Sequence, residues 1–305
     1  MQLLQKLRDR SSIAFFSKLI GDLEKEAVAL GGVIESFLAS SRKPLIITYN
    51  RQGYLPASTA YWHIATVDPE LNTLISDIPA VSLYTLAYRE GWRVLVFASN
   101  PYTGLLNTMQ VSRILNHELL AVTSKPMDER VKRILDNYGP VYVERADELE
   151  ASLTMALGVN HALSSLYKDK LEARGARLFQ HSKEGVVPLI EELIERYSEP
   201  LTKIISQKEV LLTSSKLMEA PTLYLGESLR RIGVNARFEN AENVAGPGSI
   251  VLVSTSVEDY YVKELKFQYA RMGLKTIDLS FNTDPLEAGI YLGLLSLYID
   301  KLRML

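Results

Sequence analysis

The chain has 305 residues, of which 47% are hydrophobic and 23% are charged, and its formal net charge is -2. This length allows two domains with buried cores, and the mixed, near-neutral charge gives no basic surface for a nucleic-acid partner. The sequence contains no cysteine, which excludes disulfides and thiolate metal sites and is compatible with a thermophilic source. No apolar run is long enough for a membrane span or a signal peptide, so we expect a cytoplasmic protein with no membrane partner.

Helical and strand patterns alternate along the first half of the chain. Leu23, Ala27 and Leu30 recur at helical spacing and predict a helix within residues 1–40. Four apolar runs then predict the strands PLIITY, WRVLVFAS, ELLAVTS and GPVYVE. The helices that separate and follow these strands are expected near residues 56–66, 80–91, 104–117, 126–137 and 147–168. This alternation predicts a parallel sheet with helices on both faces.

The same pattern returns after a charged helical segment. It predicts the strands EVLLTSS, NARFENA, GSIVLVSTS and LKTIDLS, with helices near residues 221–232, 259–272 and from about 285. Residues 94–124 align with residues 250–280, strand on strand and turn on turn, which indicates an internal duplication. We therefore divide the chain into an N-terminal helix (1–40), a first α/β domain (41–176), a helical connector (177–207) and a second α/β domain (208–305).

A polar turn, SNPYTG, lies between a predicted strand and the helix that follows it. Backbone N–H groups at such a helix start can hold a phosphate, and Ser99 and Thr103 would add hydroxyl groups. The alternative is that Ser99 or Asn100 only caps the helix. Arg51, in the turn after the first strand, could bind a phosphate through its guanidinium or remain a solvated loop residue.

Two α/β units with polar strand-to-helix turns resemble the sugar isomerase (SIS) family, in particular the paired SIS domains of the isomerase half of glutamine:fructose-6-phosphate aminotransferase. The family's phosphate-binding turns have the forms G-x-G-T-S and S-x-S-G-x-T, and TYNRQGYLPA and ASNPYTG stand in their places. VERADELEASLTMAL keeps the glutamate of a third family segment as Glu144, and NAENVAGPGS resembles G-E-x-x-H-G-P with Glu242, Gly246 and Pro247. The resemblance implies two tandem SIS-type parallel-sheet α/β/α sandwich domains, flavodoxin-like or Rossmann-like.

The resemblance also implies a phosphosugar site at the first two turns. The implied binding residues are Arg51, Gly53, Tyr54, Ser99, Asn100 and Thr103. The sequence departs from the family at Tyr49 and Arg51, which replace glycines, and at Pro101 and Tyr102, which replace a serine and a glycine. Arg51 would compensate for the serine hydroxyl that is missing at Gly53.

Sugar isomerisation needs a base that moves a proton between C1 and C2 of the open-chain sugar. The candidates for this catalytic role are Glu242, Glu227 and His181, and structural ion pairs are the alternative for the two glutamates. Ala245 stands where the family has the histidine used for ring opening.

Two functions follow from these observations. The first is a phosphosugar-binding protein of the sugar isomerase class, acting as an aldose/ketose phosphate isomerase. The alternative is a non-catalytic SIS-fold phosphosugar sensor or structural binding protein. We expect no cofactor and no metal, and we expect a homodimer because apolar helices such as GIYLGLLSLYI at 289–299 suggest surface that a partner would bury.

Overall fold

The computed structural model describes residues 6–244 and 248–304, and these residues contain two parallel β-sheets. Each sheet lies in its own compact unit. One unit is Gly21–Val186, and the other combines Met1–Ile20 with Val187–Leu305. The two parallel-sheet α/β units expected from the sequence are confirmed. The domain boundaries at residues 40, 176 and 207 follow sequence pattern rather than contacts and stay a prediction.

The unit Gly21–Val186 contains a five-stranded sheet with the strand order β2-β1-β3-β4-β5. Its strands are β1 Leu45–Asn50, β2 Thr73–Asp77, β3 Arg93–Ala98, β4 Glu118–Ser124 and β5 Val141–Val143. The helices that lie wholly or, in the case of α1, partly in this unit are α1 Arg10–Ala39, α2 Tyr54–Val67, α3 Ile78–Ala80, α4 Leu105–Ile114, α5 Glu129–Asp136, α6 Glu148–Leu166 and α7 Glu172–Glu184. The central strand β3 is buried along its whole length, as expected for a parallel strand with both faces covered. Val94 and Val96 lie on one face of it and pack with Leu105 and Met109 of α4.

The other unit contains a four-stranded parallel sheet with the order β7-β6-β8-β9. Its strands are β6 Glu209–Ser214, β7 Asn235–Phe238, β8 Ser249–Thr255 and β9 Lys275–Phe281. Its helices after residue 187 are α8 Ile190–Ile205, α9 Glu219–Arg231, α10 Asp259–Arg271 and α11 Pro285–Lys301. Leu252, Leu265 and Tyr269 belong to its core, and the Tyr269 hydroxyl donates to the carbonyl oxygen of Ala241 at 2.7 Å.

Strand β2 is the element that the sequence pattern does not predict. It lies at the edge of its sheet and pairs with β1 in parallel register, Leu45 opposite Thr73. None of its residues is fully buried, because an edge strand is only partly covered. It therefore lacks the continuous apolar run that marks the central strands.

The helix predicted near 80–91 is replaced by three short helical turns over residues 78–88.

The apolar stretch 289–299 lies within α11 and is buried in its own unit. Ile290, Leu292 and Leu294 are at most 1% exposed, and α11 packs against α9. The prediction that this stretch leaves surface for a partner is therefore wrong, since the fold of the chain itself already buries it. The homodimer stays a prediction without this argument.

Candidate functional site

The two turns predicted to bind a phosphosugar lie side by side at the carboxyl edge of the first sheet. Strands β1 and β3 are parallel neighbours, and Asn50 at the end of β1 is opposite Ala98 at the end of β3. We call residues 51–53 the first turn and residues 99–104 the second turn. Open α/β sheets bind their ligands at this edge.

Gly53 lies where the first turn crosses the end of β3. A Cβ atom at this position would be 2.1 Å from the carbonyl oxygen of Phe97, which is less than any real contact. The φ angle of Gly53 is -58°, so the position requires glycine for space and not for conformation. Gly53 therefore allows the close approach of the two turns, and its contact with a ligand stays a prediction.

Arg51 opens the first turn in a strained backbone conformation. Its φ angle is +43°, in the left-handed region that residues with a side chain seldom adopt. The side chain is 56% exposed, and its Nη1 donates to the Glu148 carboxylate at 3.0 Å. Backbone outliers of this kind persist where the surroundings determine them, and they are frequent at functional sites.

Asn50 fastens the second turn to the end of β1. Its Nδ2 donates to the carbonyl oxygens of Asn100 at 2.7 Å and Thr103 at 2.9 Å. Its Oδ1 accepts from the backbone N–H of Asn100 at 3.3 Å. Asn50 could not be identified from the sequence, because its partners lie 50 and 53 residues further along the chain.

The second turn is held by its own polar side chains. Ser99 is fully buried, and its hydroxyl donates to the carbonyl oxygen of Asn50 at 3.4 Å. The Asn100 Oδ1 accepts from the backbone N–H of Tyr102 at 2.9 Å and from the Thr103 hydroxyl at 3.4 Å. Helix α4 begins after Gly104, which has φ +72° and offers no side chain to cap it. Neither Ser99 nor Asn100 is thus the N-cap residue of this helix.

Glu148 joins the two turns from the start of α6. Its Oε1 accepts from Arg51 Nη1 at 3.0 Å and from Asn100 Nδ2 at 2.8 Å. Asp147 caps the helix by accepting from the backbone N–H groups of Leu149 and Glu150. Glu148 therefore lies in the first turn of the helix, where the helix dipole favours a carboxylate. The resemblance places the family glutamate at Glu144 instead. Glu144 is exposed and forms an ion pair with Lys125 at 2.6 Å.

Three tyrosines flank the turns. Tyr54, the first residue of α2, stacks on Tyr49 of β1 with ring centroids 4.4 Å apart. The Tyr102 hydroxyl accepts from the backbone N–H groups of Met127 at 3.0 Å and Asp128 at 3.3 Å. Tyr102 thereby ties the second turn to the segment that follows β4.

The three predicted catalytic residues lie on other elements. Glu227 on α9 forms ion pairs with Arg230 at 2.9 Å and Arg231 at 3.5 Å. Glu242 is exposed in a short helical turn. The pKa of Tyr261 is raised by burial of its own side chain and by the negative charges of Glu242 and Glu258. Both glutamates belong to the unit that contains Val187–Leu305.

The remaining candidate, His181, is half-buried on α7 in the unit Gly21–Val186. The positions of Ala245, Gly246 and Pro247 lie outside the described residues. Within the unit Gly21–Val186, the structure therefore brings together Arg51, Asn100 and Thr103, and the catalytic roles of Glu227, Glu242 and His181 stay predictions.

Within residues 6–244 and 248–304, no helix combines the length and apolarity needed to cross a bilayer. The same residues contain no cluster of three or more histidine or carboxylate side chains that could hold a metal ion.

No protein-family model and no curated protein matches this sequence. Solved structures do match it along almost its whole length. The C-terminal domain of glucosamine-fructose-6-phosphate aminotransferase from Francisella tularensis has 14% identity and a TM-score of 0.69, with 96% of this chain and 95% of that chain covered. Tagatose-6-phosphate ketose/aldose isomerase from Escherichia coli has 9% identity and a TM-score of 0.61, with 100% and 94% covered. The chain therefore has the fold of the paired SIS domains, and the resemblance stated from the sequence is confirmed for the fold.

Proposed function

We propose that this protein binds a sugar phosphate at the carboxyl edge of the first sheet, between the first and second turns. The observation that carries the proposal is that Arg51 and Asn100 of the polar second turn, at the neighbouring ends of β1 and β3, donate to the same oxygen of Glu148. The structurally similar proteins support it, since the names of both contain a hexose 6-phosphate.

The chemistry of these residues suits a phosphate group. A guanidinium donates two parallel hydrogen bonds to phosphate oxygens, and Arg51 is exposed enough to do so. Thr103 is also exposed, and the N-terminus of α4 behind it offers backbone N–H groups and a favourable dipole. Ser99 would stabilise the second turn rather than contact the phosphate, because its hydroxyl already donates a hydrogen bond to the carbonyl oxygen of Asn50.

Sugar phosphate binding is compatible with two roles, and one observation favours the non-catalytic one. An isomerase needs a carboxylate or imidazole that is available to take a proton from the substrate. The carboxylate of Glu227 is engaged by Arg230 and Arg231 in a structural ion pair, so it is not available to take a proton from a substrate. Glu242 and His181 remain the proposed catalytic residues of the isomerase role.

Calorimetric titration with fructose 6-phosphate, with fructose as the control ligand, tests the binding proposal. We expect the wild-type protein to bind the phosphorylated sugar alone. Arg51→Ala should weaken binding roughly 10- to 100-fold, because a hydrogen bond to a charged group contributes about 1.5–3 kcal/mol. Arg133→Ala removes an equally exposed positive charge on α5 and should leave the affinity unchanged.

Nuclear magnetic resonance of the sugar pool distinguishes the two roles. An isomerase converts fructose 6-phosphate into an aldose phosphate, and Glu242→Gln or His181→Ala should slow this conversion. A sensor leaves the pool unchanged at protein concentrations that saturate binding.

We further propose a homodimer, which light scattering at micromolar concentration would show as twice the chain mass of 34.2 kDa.

A further inference from the structure

We propose that the Glu148 carboxylate is an internal anion that occupies the place of the ligand phosphate and competes with it for Arg51 and Asn100. The inference rests on the proposed function, because it concerns the same two turns. It makes Glu148 the residue that sets how strongly this site binds phosphate.

The positions of the two donors carry the argument. Arg51 Nη1 comes from the turn after β1, and Asn100 Nδ2 comes from the turn after β3. One carboxylate oxygen accepts from both, at 3.0 Å and 2.8 Å. An oxygen that bridges two strand-end turns is what a phosphate would supply at this edge of the sheet. The Glu148 oxygen therefore already satisfies the donors that the proposed function assigns to the ligand.

The Glu148 contact is of a kind that a ligand can displace. The side chain of Glu148 is 23% exposed and that of Arg51 is 56% exposed, so solvent screens their attraction. Glu148 is also the first residue of α6, where its side chain can turn outward without disturbing the helical hydrogen bonds. An arriving phosphate thus has to break only a weak, solvent-screened ion pair.

Competition follows from the charges. A phosphate dianion beside Arg51 meets the negative carboxylate of Glu148, and the repulsion opposes binding. In a water-like medium, charges of this size about 5 Å apart produce a roughly tenfold effect on affinity. Without a ligand, the same carboxylate keeps Arg51 and Asn100 together. A phosphate alone is repelled, whereas a sugar phosphate gains additional contacts through its sugar.

Titration with fructose 6-phosphate and with inorganic phosphate tests this inference. Glu148→Gln retains an oxygen that accepts from Arg51 and Asn100 but removes the charge. We expect this variant to bind fructose 6-phosphate roughly tenfold more tightly than the wild-type protein. Inorganic phosphate should gain affinity by a similar factor. Glu150→Gln is the matched control, because it removes the same charge from the same turn of α6, and its affinity should equal that of the wild type.

The outcomes separate this inference from the proposed function. Equal or weaker binding by Glu148→Gln, with wild-type binding that Arg51→Ala weakens roughly 10- to 100-fold, overturns the inference and leaves the proposed function standing. Binding by Glu148→Gln alone supports the inference and means that Glu148 blocks the wild-type site. No binding by any variant overturns both. Far-UV circular dichroism checks that each variant is folded. If Glu148→Gln unfolds, Glu148→Ala replaces it, and this variant should also bind more tightly than the wild type.

Discussion

Asn50 is the residue whose removal tests how the two turns are held together. Its side chain is 6% exposed and makes three hydrogen bonds with the second turn, at 2.7, 2.9 and 3.3 Å. Asn50→Ala deprives two carbonyl oxygens and one backbone N–H of these partners in a largely buried position. At a net 0.5–1.5 kcal/mol for each hydrogen bond, we expect the free energy of unfolding to fall by about 3 kcal/mol.

Urea unfolding followed by circular dichroism measures this loss. Asn107→Ala is the control, since Asn107 is exposed on α4, and its effect should stay below about 0.5 kcal/mol. Asn50→Asp retains the acceptor for the Asn100 N–H but directs a carboxylate oxygen at two carbonyl oxygens, so its loss should be at least as large as that of Asn50→Ala. A loss under about 1 kcal/mol for Asn50→Ala would refute the reasoning, because it would show that other contacts hold the turns.

Two other substitutions probe the same unit. Gly53→Ala forces a Cβ against the carbonyl oxygen of Phe97 and should lower the free energy of unfolding by more than about 2 kcal/mol. Gly32 on α1 has open space around it, so Gly32→Ala should be neutral or stabilising in the same urea experiment. The Arg42 guanidinium, aided by Lys170 and Tyr167, holds the pKa of Asp68 well below its usual range despite burial. Because the pKa of Asp68 is depressed in the folded state, its contribution to stability is present at neutral pH and is lost as the pH falls below about 4. Asp68→Asn should therefore be less stable than the wild type at pH 7, and its stability should decline less steeply between about pH 5 and 2. Parallel curves of unfolding free energy against pH for the two proteins would contradict this.

The central strands could be predicted from the sequence because burial on both faces requires continuous apolar runs. β3, with the run RVLVFA, shows this directly. β2 could not be predicted, since an edge strand needs only one partner and can carry polar residues such as Thr73 and Ser76. The helix predicted near 80–91 overlaps the short helical turns over 78–88, whose division depends on how Ile78, Val81 and Leu86 pack in the core.

The candidate site could be located from the sequence but not completed. Polar residues at strand ends mark the two turns, because parallel strands bring their carboxyl ends to one edge. Asn50 and Glu148 were missed because their hydrogen bonds join residues 48 to 97 positions apart, which local patterns do not encode. Glu144, to which the resemblance assigns the family glutamate, shows the same limit, since Glu144 and Glu148 lie in one acidic segment and only the contacts of Glu148 with Arg51 and Asn100 distinguish them.

Backbone amide chemical shifts during a titration with fructose 6-phosphate test the central claim most directly. The account predicts saturable shifts at the first and second turns, at the N-terminus of α4 and at Glu148, with little change around Glu227 and Arg230. It also predicts that Arg51→Ala removes these shifts while Arg133→Ala preserves them. Shifts confined to another part of the chain, or none up to millimolar ligand, would contradict sugar phosphate binding at the carboxyl edge of the first sheet.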